Sequence, residues 1–133
     1  MDKEQLATFY RRYIQCWNER RLDEVREFVA DDVRINDAEK DPEQYLAGMD
    51  DFFSAFPDYH WELRQLLVDG DWISAHFTVT GTHQGTFLGV PATGRAIASQ
   101  EFAVYRISDG KISEVWGTVD RVDILDQLTD QSR

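Results

Sequence analysis

The periodicity of apolar residues changes from helical to alternating at Pro57, and that change limits the folds this chain can adopt. Before Pro57, apolar residues recur at three- and four-residue steps, which is typical of amphipathic helices. After Pro57, apolar and polar residues alternate, which is typical of strands. Helices that precede an antiparallel sheet indicate the α+β class, with the helices on one face of a bent sheet and a conical cavity between the two layers.

Three helices are predicted in the first part of the chain. The first covers residues 2–19, the second carries Leu22 to Val29, and the third begins after the cap residue Asp41 and ends before Pro57. Between the second and third helices, Val33-Arg34-Ile35 alternates as a short strand would.

Four long strands and a last helix are predicted in the second part. The strands are expected at residues 59–68, 72–82, 95–107 and 111–119, and the helix at 121–128. Pairing the last two strands across Asp109-Gly110 sets Glu101 opposite Thr118 and Ser99 opposite Asp120. That pairing puts these side chains on one sheet face, although a β-bulge would shift part of the register.

Charge and cysteine content narrow the function classes. The net charge is −11 and the isoelectric point is about 4.5, so the surface repels nucleic acid and anionic membranes. The single cysteine, Cys16, allows no intrachain disulfide, which fits a reducing compartment. No apolar run is long enough for a signal peptide or a membrane span, and we therefore expect a cytoplasmic protein.

Six short motifs, in order along the chain, carry a family resemblance. They are Ala30-Asp31-Asp32-Val33, Phe56-Pro57-Asp58, Gly81-Thr82-His83-Gln84-Gly85, Gly89-Val90-Pro91-Ala92-Thr93-Gly94-Arg95, Asp109-Gly110-Lys111-Ile112 and Trp116-Gly117-Thr118-Val119-Asp120. Together they resemble the SnoaL-like polyketide cyclases, also called ester cyclases, which have the NTF2-like cone fold. The resemblance covers nearly the whole chain and implies one SnoaL-like domain over residues 1–133.

The resemblance implies an architecture and an activity. The architecture is three N-terminal helices on a strongly curved antiparallel sheet, a short C-terminal helix, and a homodimer formed through the outer sheet face. The activity is ring closure of an aromatic polyketide by intramolecular aldol condensation, without metal or cofactor, with one aspartate as acid and base. By motif that aspartate is Asp120, and Thr118 stands where the cyclases often present a histidine.

Three side chains are candidates for the chemistry. Burial in an apolar cone would raise the pKa of Asp120, the predicted catalytic acid and base, although Asp120 could instead cap the last helix. His83, in a glycine-flanked loop, is a second catalytic candidate as a donor to a carbonyl oxygen, or else a locally bonded loop histidine. Glu101 is predicted on the same sheet face as Asp120, with a solvated edge position as its alternative.

Large aromatic side chains are expected to form the walls of the cone, with ordinary core packing as the alternative. The predicted substrate pocket consists of Trp17, Phe53, Phe56, Trp61, Glu101, Tyr105, Trp116 and Thr118, with Tyr13 as a further wall residue. Such walls suit a small lipophilic or aromatic ligand. The three histidines lack the spacing of metal ligands, so no metal site is predicted.

The sequence thus favours a cofactor-free enzyme that enolises a small lipophilic carbonyl compound, with aldol-type ring closure as the reaction. One alternative is a binding module of the same fold without chemistry, which the threonine at position 118 favours. Another is an isomerase or epoxide hydrolase that uses the same pocket.

Overall fold

The computed structural model of this chain describes residues 1–129, and it has the α+β architecture that the change in periodicity predicts. The helices of this region are α1 (Lys3–Asn18), α2 (Leu22–Glu27), α3 (Pro42–Ala47), α4 (Asp50–Ala55) and α5 (Arg121–Thr129). Its strands are β1 (Val29–Ile35), β2 (Ala38–Glu39), β3 (His60–Asp69), β4 (Trp72–Thr82), β5 (Ala96–Ser108) and β6 (Lys111–Val119).

The strands form one sheet in the order β2-β1-β6-β5-β4-β3. The predicted four-strand meander is its β3 to β6 part, where neighbouring strands are antiparallel. The predicted short strand lengthens into β1, which pairs in parallel with β6 and carries β2 at the sheet edge. None of the helices in residues 1–129 is long and apolar enough to cross a membrane.

The third predicted helix is in fact two short helices, and the prediction of one continuous helix is wrong. The chain turns at Gly48, whose N–H donates to the carbonyls of Gln44 and Tyr45, and α4 begins two residues later. This turn lets α3 present Tyr45 to the cavity while α4 directs Phe52 to a separate ring contact with Tyr59.

Helix α1 covers the inner face of the sheet with aromatic side chains. A capping box between Asp2 and Gln5 fixes its start, as the sequence suggests. Tyr10 and Tyr13 are buried and contact Tyr105 of β5, with ring centroids 4.8 Å and 5.8 Å from it. Aromatic contacts, tilted or edge-on, therefore join α1 to the inner face of the sheet.

A β-bulge in β6 corrects the predicted register of the last hairpin. Ile107 pairs with Ile112 as expected, but Arg106 pairs with Glu114, so Ser113 is the extra residue. The Ser113 hydroxyl donates to the carbonyl of Arg106 at 3.1 Å, which satisfies a backbone group at the irregularity. Beyond the bulge every β6 residue is displaced by one position, so its side chains lie on the face opposite to the predicted one.

The loop after β4 packs against α4, and Gly85 makes that contact. A Cβ atom at Gly85 would lie 2.3 Å from the carbonyl oxygen of Ser54, so a larger residue would force the loop away. The N–H groups of Gln84 and Gly85 donate to the carbonyl of Ala55 at 2.9 and 3.2 Å. The loop is thereby fixed to the helix layer.

Candidate active site

A cavity of about 310 Å³ lies between the helices and the inner face of the sheet. Its lining is mostly aromatic and aliphatic, with one carboxyl group and one ammonium group. The lining residues are Tyr13, Ile14, Trp17, Ile35, Lys40, Gln44, Tyr45, Gly48, Met49, Trp61, Glu101 and Tyr105. Its composition, apolar walls with few polar groups, is that of small-molecule sites.

Glu101 is the carboxylate of this cavity, and the register of the sheet explains its setting. It pairs with Phe77 on one side and Val119 on the other, and Phe77 pairs in turn with Leu63. Because paired residues share a sheet face, Glu101 sits in a cross-strand row whose other members are all apolar. The carboxylate is thereby removed from most of its hydration.

The indole of Trp61 holds the Glu101 carboxylate in place. The indole Nε1 of Trp61 donates to Glu101 Oε2 at 3.1 Å. Trp61 is fixed in turn by Asn18 at the end of α1, whose amide accepts from the Trp61 N–H and donates to the Trp61 carbonyl, both at 2.9 Å. The hydroxyl of Tyr59 lies near the carboxylate but completes no hydrogen bond of standard geometry.

Burial raises the pKa of Glu101 from 4.5 to about 7. The Trp61 hydrogen bond and, to a smaller extent, the Tyr59 hydroxyl lower the pKa, but desolvation dominates. A carboxyl group with a pKa near neutrality populates both protonation states under ordinary conditions. Such a group can accept a proton from carbon and return it to oxygen.

The structure brings only part of the predicted pocket together. Trp17, Trp61, Glu101 and Tyr105 line the cavity, and so does Tyr13; that these residues bind a substrate stays a prediction. The placement of Phe53 and Phe56 in its walls is wrong. Phe53 packs behind the cavity against Trp17 and Trp61, with both ring-centroid distances 6.0 Å, and Phe56 is buried against Tyr59 and Phe87.

His83 is fully buried and does not lie at the mouth of this cavity, which corrects its predicted position. Its Nδ1 accepts from the backbone N–H of Thr93 at 3.1 Å, and its ring packs 5.5 Å from that of Phe56. The imidazole holds the two ends of the loop between β4 and β5 together. The alternative of a locally bonded histidine is the one that this geometry supports.

Trp116, Thr118 and Asp120 lie outside the cavity because of the bulge at Ser113. Trp116 pairs with Val104 and Thr118 with Phe102, so both are on the outer sheet face, and Trp116 is 43% exposed. Asp120 is exposed, and its Oδ1 accepts from the N–H of Asp123 at 2.9 Å, the geometry of a cap on α5. The predicted position of Asp120 inside an apolar cone is therefore wrong, and its catalytic role lacks geometric support.

A second hollow, of about 700 Å³, borders Asp120 on this outer surface. Exposed side chains, among them Gln100 and Phe102, form much of it. It lies between α5 and the ends of β5 and β6. Its exposed side chains stay hydrated, whereas the carboxylate of Glu101 lies in a mostly apolar lining.

Several positions in and around the cavity carry no clear signal in the sequence. Tyr45 falls within the predicted third helix, where nothing separates a cavity residue from a core residue, and Lys40 lies just before α3. The strongest sequence signal for Tyr45 is its place directly after the capping box of Asp41 and Gln44, which fixes the orientation of α3. No motif marks Asn18, because its partner Trp61 is 43 residues away.

Comparisons with known proteins identify the family of this chain. The sequence profile of the SnoaL-like polyketide cyclase family matches residues 7–128. The aklanonic acid methyl ester cyclase DnrD of Streptomyces peucetius is 30% identical over 111 residues, which are 78% of this chain and 77% of that protein.

Solved structures show the same architecture. A SnoaL-like polyketide cyclase from Agrobacterium tumefaciens superposes with a TM-score of 0.82 at 28% identity, over 92% of this chain and 97% of that one. AclR from Streptomyces galilaeus superposes with a TM-score of 0.85 at 26% identity, over 96% and 97% of the two chains. The predicted NTF2-like cone fold is thereby confirmed.

Proposed function

The chain belongs to the SnoaL-like polyketide cyclase family, and we propose that it catalyses an aldol-type ring closure with Glu101 as the acid and base. The substrate is a small lipophilic carbonyl compound held in the aromatic cavity. The observation that carries this proposal is the carboxyl group of Glu101, which lines an apolar cavity and has a pKa of about 7.

The proposed reaction needs one proton carrier. Ionised Glu101 removes a proton from the carbon next to a carbonyl group and becomes a neutral acid, while the substrate becomes an enolate. The enolate carbon attacks a second carbonyl of the same molecule, which forms a carbon–carbon bond and an alkoxide. Glu101 then returns the proton to the alkoxide oxygen, so that this addition step consumes and releases nothing, and no cofactor takes part in it.

The setting of Glu101 favours catalysis over ligand binding alone. Raising the pKa of a carboxyl group by this amount destabilises its ionised form by about 3 kcal/mol. A cavity that only binds a lipophilic molecule has no use for a destabilised carboxylate. A general acid and base does, because its pKa must lie near neutral pH. Asn18 fixes the backbone of Trp61 by donating one hydrogen bond and accepting another, and Trp61 donates in turn to the carboxylate, which supports the same choice.

The relatives suggest a class of test substrate. DnrD is named for aklanonic acid methyl ester, and the related enzyme of Streptomyces nogalater is named as a nogalonic acid methyl ester cyclase. We propose a planar, ester-bearing polyketide of this kind for the present chain. The aromatic rings of Trp17, Trp61 and Tyr105 provide flat apolar surfaces on which such a molecule can stack.

The proposal is tested by incubating the protein with aklanonic acid methyl ester in D₂O and in H₂O. Ring closure by addition gives a product of unchanged mass, because the proton taken from carbon ends on the alkoxide oxygen. An enolate that is reprotonated before it attacks leaves solvent deuterium at the reacting carbon of the recovered ester, faster than in the absence of protein. We expect both with the native protein and neither with Glu101→Gln. Equal turnover by Glu101→Gln would remove Glu101 from the mechanism, and binding of the ester by both proteins without product would favour a binding module.

A second copy of the chain is the partner we propose for the outer face of the sheet. Phe102 is 53% exposed there and stacks on His76, with ring centroids 4.6 Å apart, and exposed Trp116 lies on the same face. Sedimentation should give a dimer mass that Trp116→Asp reduces to that of a monomer. A native monomer at micromolar concentration would exclude this interface.

The free buried thiol of Cys16 is consistent with the cytoplasmic location that we also propose.

A further inference from the structure

The C-terminal end of α1 binds the start of β3 through a side-chain amide. Asn18 is the last residue of α1, and its Nδ2 donates to the carbonyl of Trp61 while its Oδ1 accepts from the Trp61 N–H, each at 2.9 Å. Within residues 1–129, β3 is an edge strand of the sheet, so the outer backbone groups of Trp61 have no neighbouring strand to pair with. The amide of Asn18 therefore takes the place of a neighbouring strand at this residue.

Arg20, two residues after Asn18, holds the chain just before Trp61. Its guanidinium donates to four backbone carbonyls, two at the end of α1 through Nη1 and two in the segment before β3 through Nη2. The four acceptors are the carbonyls of Trp17, Asn18, Pro57 and Tyr59, at 2.9, 3.4, 3.2 and 2.6 Å in that order. Asn18 and Arg20, which we call the α1 clamp, thus fasten residues 57–61 to the helix end.

The backbone of Arg20 supports a specific use of its side chain. Its φ is 58°, in the left-handed region, at the position after a helix end that glycine most often occupies. A residue with a Cβ atom is strained in this conformation. The four hydrogen bonds offset that strain, and so does the ring of Phe53, whose centroid lies 4.0 Å from the guanidinium carbon. The arginine is therefore retained here for its side-chain contacts.

The indole of Trp61 connects the α1 clamp to the cavity. Its Nε1 donates to Glu101 Oε2 at 3.1 Å, whereas neither Asn18 nor Arg20 lines the cavity itself. Trp61 is on β3 and Glu101 on β5, with β4 between them, so the indole bridges two strand spacings, about 10 Å. A hydrogen bond made at the far end of so long a side chain depends on where its backbone is held, because a small tilt there displaces the N–H from the oxygen.

We propose that Asn18 and Arg20 are positioning residues, which hold the Trp61 indole against the Glu101 carboxyl group through the backbone of residues 57–61. The effect on turnover rests on the proposed function. The effect on the carboxyl group does not, because it is measured without any substrate. Since the indole donor stabilises the ionised form, the α1 clamp keeps Glu101 available as a base at a lower pH than burial alone would allow.

The pKa of Glu101 reports the position of the indole. It is measured by carbon-13 NMR of the carboxyl group in the free protein as a function of pH, and Glu101→Gln identifies the resonance. Trp61→Phe removes the donor and should raise the pKa by about 0.5 to 1, the equivalent of one hydrogen bond. Asn18→Ala should raise it by a smaller amount. So should Arg20→Gly, in which glycine keeps the left-handed backbone without strain.

A double variant tests whether Asn18 acts through Trp61. Added to Trp61→Phe, Asn18→Ala should leave the pKa of Glu101 where Trp61→Phe has placed it, because the donor is already absent. The other titratable groups around the carboxyl group remain in every variant. They are Tyr10, Tyr13, Lys40, Tyr45, Tyr59 and Tyr105.

Gln127→Ala is the matched control. The Gln127 amide pairs in the same way with both backbone groups of Ala98 on β5, at 2.8 and 3.1 Å, and Gln127 does not line the cavity. We expect this variant to lose stability as Asn18→Ala does but to keep the pKa of Glu101. A rise in Asn18→Ala no larger than in Gln127→Ala overturns the proposal, and so does an equal further rise in the double variant. An unchanged pKa in Arg20→Gly overturns it for Arg20.

Turnover separates this inference from the proposed function. With aklanonic acid methyl ester, Asn18→Ala should lower kcat by about 10-fold, less than the loss of about 10²-fold that a displacement of about 1 Å can cause, and change KM less than kcat. If Glu101→Gln retains full turnover while Asn18→Ala raises the pKa, the α1 clamp stands and the proposed function fails. If Glu101→Gln loses turnover while Asn18→Ala leaves the pKa unchanged, the cyclase stands and the α1 clamp falls.

Discussion

Glu101 and Asp120 are separated by one register step on neighbouring strands, yet their environments are opposite. Glu101 pairs with Val119 and faces the apolar cavity, where burial raises its pKa to about 7. Asp120, the next residue after Val119, donates its N–H to the carbonyl of Gln100 at 3.4 Å and directs its carboxylate to the start of α5. Proximity in the sheet therefore does not give two carboxylates related roles.

The difference shows that a strand position acquires its chemistry from the face on which it lies. Ionised Glu101 weakens the fold and is suited to proton transfer, whereas the Asp120 carboxylate caps a helix and strengthens the fold. The two residues can thus be separated by mutation in activity and in stability, with effects of opposite sign on the free energy of unfolding.

The largest expected effect is on turnover. Glu101→Gln should lower kcat for cyclisation by about 10²- to 10⁴-fold, the usual contribution of a general acid and base. Asp120→Asn, the matched amide substitution, should leave kcat close to the native value because asparagine also caps helices. Steady-state kinetics of both variants decides the comparison, and a larger loss in Asp120→Asn would reverse the assignment of the two carboxylates.

The next effect is on stability, and its sign depends on pH. Since folding raises the pKa of Glu101 from 4.5 to about 7, both states are protonated below pH 4.5 and the group costs nothing there. Above pH 7 the ionised group destabilises the fold by about 3 kcal/mol. Glu101→Gln should therefore be more stable than the native protein at pH 8 by about that amount.

Urea unfolding at pH 8 and at about pH 3 measures this difference. The advantage of Glu101→Gln should disappear at the lower pH, where the native side chain is neutral in both states. An advantage that is the same at both values would mean that packing, and not ionisation, is its cause.

A smaller effect of opposite sign is expected at the cap. Asp120→Ala should destabilise the fold by about 1 kcal/mol, because the N–H of Asp123 loses its acceptor. Asp126→Ala is the control, since Asp126 is exposed within α5 and does not lie at its N-terminus. Thermal unfolding should show a lower Tm for Asp120→Ala alone; similar changes in both variants would indicate a general charge effect.

The smallest effect concerns the tuning of Glu101. Trp61→Phe removes the indole N–H that lowers the pKa of Glu101. The ionised form of Glu101 is then reached only at higher pH. The rising limb of the plot of kcat/KM against pH should therefore shift to higher pH. Tyr13, Tyr45, Tyr59, Tyr105 and Lys40 remain as the other titratable groups around the site. Trp72→Phe, on another part of the sheet, should leave the limb in place, and an unmoved limb in Trp61→Phe would contradict the assignment.

The sequence predicts the strands and most of the helices of this fold well, because the signals for these elements are local. The bounds of β4 and β6 are those read from alternation and from the turn at Asp109-Gly110, where both residues have positive φ. The extra residue at Ser113 cannot be predicted from alternation. Alternating residues share a sheet face only while the strands pair residue by residue, and the bulge interrupts that pairing. Because of this one bulge, Trp116, Thr118 and Asp120 lie outside the cavity and not on the inner face where the regular pairing predicted them.

The candidate site is harder to predict because its contacts are long-range. The residue type and inward face of Glu101 could be read from β5 alone, but its raised pKa depends on neighbours from three other strands. Asn18 and Trp61, or Tyr13 and Tyr45, come together only when α1 and α3 are packed on the sheet. The general expectation of an acid in an apolar cone is met by a different carboxylate from the one that the motif indicated.

The bulge at Ser113 has an evolutionary consequence. Deleting or inserting one residue in this hairpin would move the β6 side chains that face the cavity to the solvent-facing side, and those that face solvent to the cavity. The turn and the strand ends would stay in place. A lineage can thereby acquire a new reactive group in the cone through a single codon indel, and shared motifs at the end of β6 then no longer imply shared catalytic residues.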